Sequence, residues 1–216
     1  MTITAISDTH GKFNKLDLSQ YPADVLVHAG DWTSHDTPIE IMNFLQWFSL
    51  QDYRYLIFIA GNHEQCSESN QKWFYNILKK YPNIIYLQNS EVIIDGIKFY
   101  GSPYSNEFYN RAFMEEENEL KKIWDKIPDD TNILITHGPA YGCNDIVKHA
   151  VGCDNHVGSK YLTKRKLSLQ GTLKAHISGH IHESYGVINT DGCINVCPTV
   201  LNENYKLVNN PIILEV

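Results

Sequence analysis

Two histidines one residue apart, His180 and His182, close the stretch KAHISGHIHE, residues 174–183. A glycine precedes the pair and Glu183 follows it. Imidazoles crowded in this way fit a half-buried strand that tolerates histidine, a surface loop, or a metal site. The metal reading needs partners elsewhere, and the chain supplies candidates: Asp8 and His10 in DTH, Asp31 in GD, Asn62, His63 and Glu64 in GNHE, and His137 in HG. Each motif alone is weak, because Asp or Asn beside Gly is ordinary turn chemistry. Together they carry weight, because every one of them closes an apolar run and glycines beside them let backbone approach a small ion.

The elements that must place these residues follow from hydrophobic pattern. ITAIS (3–7) runs into Asp8, and VLVHA (25–29) into Gly30-Asp31. YLIFIA (55–60) precedes Gly61-Asn62-His63, NILIT (132–136) precedes His137, and AHIS (175–178) precedes Gly179-His180. Such short apolar runs predict strands buried on both faces. Helical spacing predicts helices over 38–50, where Pro38 suits a first turn, and over 67–80, 113–127 and 159–168. Further strands are predicted at 84–87, at 91–95 and 97–100 around the Asp95-Gly96 turn, and at 185–189, 193–197, 205–208 and 212–215. Alternating strands and helices with late consecutive strands imply a layered α/β protein of two packed sheets. In such folds ligand sites gather at the carboxyl ends of strands, so the five polar endings are expected around one crevice.

Bulk composition narrows the classes. The chain has 216 residues, 43% hydrophobic and 20% charged, which suits one domain over 1–216 with a sizeable core. A formal net charge of −7 argues against nucleic acid as the main partner, because that affinity rests on Lys and Arg. It leaves room for a small phosphorylated substrate, since a bound cation outweighs local protein charge. No apolar run reaches the length of a membrane span, and the N-terminal stretch has no basic region of a secretion signal. With five cysteines, an odd count lacking close CxxC pairs, the expectation is free thiols in a reducing compartment, the cytoplasm.

In order and spacing these motifs resemble the calcineurin-like metallophosphoesterase superfamily, whose pattern D-x-H, G-D, G-N-H-[D/E], H, G-H-x-H is complete here between Asp8 and His182. VLVHAGDWT, IAGNHE, ITHGPAYG, GHIHESYG and the late NNPIILE are similar to its MPPED branch, related to class III cyclic-nucleotide phosphodiesterases. The resemblance implies a four-layer α/β/β/α sandwich and two divalent metal ions. It places Asp8, His10, Asp31 and His182 on one metal and Asp31, Asn62, His137 and His180 on the other, with Asp31 bridging. Imidazole and carboxylate together suit Mn, Fe, Zn or Co. The implied reaction is hydrolysis of a nucleotide phosphodiester, cyclic nucleotides leading, by in-line attack of a hydroxide shared by two metals. His63 is then not a ligand but stabilises or protonates the leaving oxygen, and Asn62 touches both metal and phosphate.

Other readings stay open at this stage: a phosphomonoesterase or protein phosphatase, and a nucleotide-binding scaffold of weak activity. Tyr104, in the aromatic run 100–109, is a candidate for stacking on a base, with simple loop packing as its alternative. His28 is expected as a buried, hydrogen-bonded support, His176 as structural, and Glu64 as a brace for its loop. His35, His149 and His156 receive no role. Lys160, Lys164, Arg165 and Lys166 read as a solvated helix face.

Overall fold

The computed structural model describes residues 1–148, 155–190 and 192–216. The chain runs β1 (Thr2–Ile6), β2 (Val25–Ala29), α1 (Pro38–Ser49), β3 (Tyr55–Ile59), α2 (Gln65–Ser69), α3 (Gln71–Leu78), β4 (Ile84–Tyr86), β5 (Ser90–Ile94), β6 (Ile97–Ser102), β7 (Ser105–Asn106), β8 (Met114–Glu115) and α4 (Glu117–Trp124). It continues through β9 (Ile133–Thr136), α5 (Lys160–Ser168), β10 (Ala175–Ser178), β11 (Gly186–Thr190), β12 (Cys193–Cys197) and β13 (Ile212–Glu215).

The strands form two large mixed sheets. The first has the order β13-β1-β2-β3-β4 and the second β11-β12-β10-β9-β6-β5. Within the first, β1, β2, β3 and β4 are parallel and β13 runs against β1. Within the second, β12, β10, β9 and β6 are parallel, with antiparallel strands at both edges. The sheets pack face to face through Ile3, Val27, Ile57 and Ile59 on one side and Phe99, Ile135, Ile177 and Val196 on the other. Outside the first sheet lie α1 and α3, sealed by Phe44, Phe48, Phe58 and Phe74, and outside the second lie α4 and α5, sealed by Leu120, Trp124 and Leu162. This is the expected α/β/β/α layering. Each of these buried side chains contributes about 1.5–3 kcal/mol of apolar burial. Among the described residues no helix is long and apolar enough to cross a membrane.

Helix starts obey local chemistry. The Thr37 side chain accepts the N–H of Glu40 and Pro38 opens α1, while Ser159 caps α5 through Leu162 N–H.

Three predicted elements differ. The helix expected over 67–80 is two helices meeting at Asn70, whose backbone (φ −124°, ψ 48°) is not helical. The helix expected from 113 starts only at Glu117, because residues 114 and 115 pair with 105 and 106, and Phe113 adopts φ 51°. No strand forms over 205–208. Tyr205 takes φ 55° in a turn closed by Asn202, leaving an isolated bridge between Leu201 and Leu207.

The basic run on α5 is only partly a solvated face. Arg165 donates to Ile127 O and, at 2.7 Å, to Asp129, and buried Lys166 donates to Asn195 Oδ1.

Candidate metal centre

The five polar strand endings do converge. The carboxyl ends of β1, β2 and β3 abut those of β9 and β10, and backbone bonds stitch the seam. Asp8 N–H donates to Gly30 O at 2.9 Å, His10 N–H to Asp31 O at 3.0 Å, and Gly179 N–H to His137 O at 3.0 Å. The endings turn sharply, and Asp8, His10, Asp31 and His180 all sit in the left-handed region (φ 53°, 40°, 55° and 72°). Non-glycine residues persist there only where surrounding structure over-determines them. Glycine is required beside them: a Cβ on Gly61 would collide with Asp31 Oδ1, and one on Gly179 would lie 2.5 Å from Asp8 Oδ2.

Three sets of side chains bring possible ligand atoms within 4.8 Å of one another: Asp8, His10 and His182; Asp31, His137 and His180; and His10, Asp31 and His63. Asp31 Oδ1 lies 3.3 Å from His137 Nε2, while Oδ2 lies 3.7 Å from His10 Nε2 and 3.9 Å from His63 Nε2. Its two oxygens therefore face opposite halves of the site. Asn62 Oδ1 joins the second half, 2.9 Å from His137 Nε2. In the first half, His10 Nε2 and His182 Nε2 are 3.3 Å apart, and Asp8 Oδ1 is 3.5 Å from His182 Nε2.

Ring orientation is fixed from behind. His137 Nδ1–H donates to Ala29 O and His182 Nδ1–H to Asn202 O, both at 3.0 Å, which turns each Nε2 toward the centre. His180 N–H donates to both oxygens of Asp8 at 3.1 Å. Glu64, fully buried, braces the two neighbouring loops. It accepts the N–H groups of Asp31 (3.0 Å), Gly61 (2.7 Å) and Thr33 (2.9 Å), and the Thr33 hydroxyl at 2.9 Å. Trp32 anchors the Asp31 turn from below, donating Nε1–H to Ile59 O at 3.2 Å and stacking on Phe44 with centroids 4.6 Å apart.

The electrostatics show a centre that demands positive charge. Burial opposes ionisation of Asp8, yet the hydrogen bond and charge of His182 hold it at about 2. Burial likewise opposes Asp31, and His137 outweighs it, leaving that carboxyl well below its ordinary value. Burial depresses imidazolium, but Asp31 pushes His137 up to about 9 and Asp8 pushes His182 up to about 9. His10 and His180 go the other way, to about 4, burial being the main cause. Each half thus favours one protonated imidazole, a cation held among buried carboxylates. Hard carboxylate, amide oxygen and imidazole nitrogen are a donor set that fits divalent transition metals, so the residues fit two such ions.

Of the remaining residues singled out in the sequence, His28 is buried with Nε2 3.0 Å from the Thr9 hydroxyl, a support for the first ending. His176 lies 2.7 Å from the Thr136 hydroxyl, away from the centre. His156 bonds Asp145 at 2.7 Å, and Asp145 also takes the N–H groups of Gly142 and Gly158, organising the described part of the irregular segment. Cys66, Cys143 and Cys197 are free thiols, while His149 and Cys153 lie outside the described residues. Tyr104 packs edge-on against Phe113, centroids 5.5 Å apart, rather than on the ligands. Sequence reasoning passed over Arg111, Asn202 and Tyr205, which border the centre. The available signal was weak: the Asn-rich run 202–204 marks a side-chain-closed turn.

Residues 1–184 match the family described as Calcineurin-like phosphoesterase. Metallophosphoesterase domain-containing protein 1 of Homo sapiens is 35% identical over 234 residues, spanning 97% of this chain and 69% of that protein, and its Mus musculus counterpart gives the same figures. The crystal structure of TT1561 of Thermus thermophilus superposes with a TM-score of 0.63 at 15% identity, covering 92% of this chain and 88% of that one. The chain belongs to the calcineurin-like phosphoesterase family. It is accordingly a metal-dependent phosphoesterase, a hydrolase that uses two divalent cations.

Proposed function

We propose that the chain is a phosphodiesterase acting on nucleotides, cyclic nucleotides among them. Asp8, His10, Asp31 and His182 are assigned to one cation and Asp31, Asn62, His137 and His180 to the other. The observation that carries this reading is the placement of Asp31, whose two oxygens face the two halves separately. When bound, the cations supply Lewis acidity toward a phosphoryl oxygen and a water acidic enough to attack at neutral pH. The chain's own groups do the rest. Asp31 holds the halves in register, and Asn62 offers its amide to the phosphate. His63, with Nδ1 3.3 Å from Ser34 O, presents Nε2 to the leaving oxygen and stabilises or protonates it. The nucleotide preference is supported by the motif wording shared with the MPPED branch.

The test is turnover of bis-p-nitrophenyl phosphate with added Mn²⁺, followed by a panel of cyclic nucleotides, nucleoside monophosphates and phosphopeptides. Diester turnover with cyclic nucleotides preferred is expected. Asp31→Ala and His137→Ala should each abolish it. Full activity in either variant overturns the ligand assignment, and preference for monoesters or phosphopeptides overturns the diesterase reading.

A further inference from the structure

Two side chains from distant segments flank the centre from opposite sides, and neither is used by the mechanism so far. The first is Arg111, on the loop 107–113. The loop is pinned at its base, where β7 pairs with β8 and Ser105 N–H donates to Phe113 O at 3.0 Å. Phe113, fully buried, gives its own N–H to Glu68 Oε1 at 2.9 Å. From this fixed base Arg111 reaches out and places Nη1 3.0 Å from His63 Nε2 and 3.4 Å from Nδ1. Among the described residues its guanidinium hydrogen-bonds to no carboxylate, only to this imidazole. In a chain of net charge −7, that leaves a planar fork of donors beside the centre without an anion.

The second is Tyr205, at the apex of the turn 202–206. Its ring lies 5.0 Å from that of His10 and 5.1 Å from that of His182, centroid to centroid. The turn is built to hold it there. Tyr205 N–H donates to Asn202 O at 2.8 Å, Asn202 Oδ1 takes the N–H groups of Asn204 and Lys206, and Lys12 Nζ donates to Tyr205 O. Nearly half of Tyr205 remains exposed, so the ring packs on the ligands and keeps open surface. The rings of His10 and His63 are 4.5 Å apart, so the order across the mouth is Arg111, His63, His10, Tyr205.

We propose that Arg111 and Tyr205 form a two-point clamp that selects a nucleoside phosphate. Arg111 exchanges its bond to His63 for the phosphate oxygens, which it grips as a fork. Tyr205 offers its open surface to the flat base joined to that phosphate, a contact any base can make. The clamp rests on the nucleotide reading above and adds the residues that would impose it.

Calorimetric binding of inorganic phosphate and of AMP to the Mn²⁺-loaded protein tests the clamp, with metal content measured for every variant. Arg111→Ala should weaken phosphate and AMP alike, by roughly tenfold or more, the worth of a hydrogen bond to a charged group. Arg111→Lys should recover part of the loss. Tyr205→Ala should weaken AMP by roughly fivefold or more while leaving phosphate unchanged, and Tyr205→Phe should bind as the parent does. Unaltered phosphate binding in Arg111→Ala overturns the clamp. So does equal weakening of phosphate and AMP in Tyr205→Ala, which would mark the ring as a prop for His10 and His182, and so does a parent that binds neither probe. A parent that binds both through these residues yet hydrolyses no diester would leave the clamp standing and defeat the catalytic reading instead.

Discussion

The floor and the rim of the centre are built on opposite principles. On the floor Asp8, Asp31 and His137 are buried, and His137, His182 and Asp8 are each oriented by a hydrogen bond to or from backbone. On the rim Arg111 and Tyr205 stand on loops, each tied at its base but open at its tip. The floor gathers charge that would be costly to bury without cations, so it is rigid and intolerant. The rim meets only what enters from solvent, so it can set preference without disturbing the chemistry. Substitutions on the two levels should therefore fail differently: floor changes through metal content, rim changes through substrate binding at full metal content.

The largest effects belong to the floor. His182→Ala and His180→Ala should each reduce bound metal from about two ions to about one, by elemental analysis of the purified protein. Each should lower kcat with bis-p-nitrophenyl phosphate by about a thousandfold, since a cation contributes several kcal/mol to the barrier and 1.36 kcal/mol is tenfold. The two variants should lose ions from different halves, so their losses in the double variant should not simply repeat one another. Two tightly held ions in either single variant would end the one-histidine-per-half assignment.

A smaller effect is expected one layer back. Among the described residues Glu64 hydrogen-bonds to no side chain assigned to a metal, but its carboxylate fixes the N–H groups of Asp31 and Gly61 and so the distance between their two loops. Burial and the charge of Asp31 push it up to about 8, against the N–H donors that favour its ionised form. Glu64→Gln replaces one acceptor oxygen by a donor facing backbone N–H. Metal affinity should fall roughly 10–100-fold, as for other groups that orient ligands, with activity restored at saturating Mn²⁺. A variant that stays inactive at saturating metal would show that Glu64 acts on the reaction itself.

The same division explains what the sequence made visible. The floor was legible because its polar residues come after runs such as VLVHA or YLIFIA, where a continuous apolar pattern stops abruptly. Local pattern carries that information. The rim was not legible, and two of the three misread elements adjoin or form it. A helix was expected from Phe113, but that residue is held in a left-handed turn by Glu68, 45 positions away in sequence. A strand was expected at 205–208, but Lys12 and the Asn202 side chain hold Tyr205 in a turn. Long-range hydrogen bonds to loop backbone leave no periodicity to read. Tyr104 illustrates the converse: its aromatic character was visible, but not its edge-to-face contact with Phe113.

The smallest expected effect lies in the connector between the two levels. Asp36 accepts the N–H of Cys66 at the start of α2, the helix that follows Glu64 and carries Glu68 to the rim loop. Burial, with the charge of Glu40 adding to it, raises Asp36 from 3.8 to about 6 despite that N–H. A carboxyl with a raised folded value takes up a proton on folding between pH 3.8 and about 6. Its protonated form favours the fold, and that contribution is lost as pH rises through about 6. Asp36→Asn keeps an acceptor for Cys66 and removes the titration. Its denaturant midpoint should match the parent's near pH 4, rise progressively above it between pH 4 and about 6, and keep a constant lead at higher pH, while metal content and phosphate binding stay level. A gap that is already open at low pH, or that closes as pH rises, would mean that Asp36 is held by more than its burial, and that floor and rim are coupled through this loop more tightly than their separate hydrogen bonds imply.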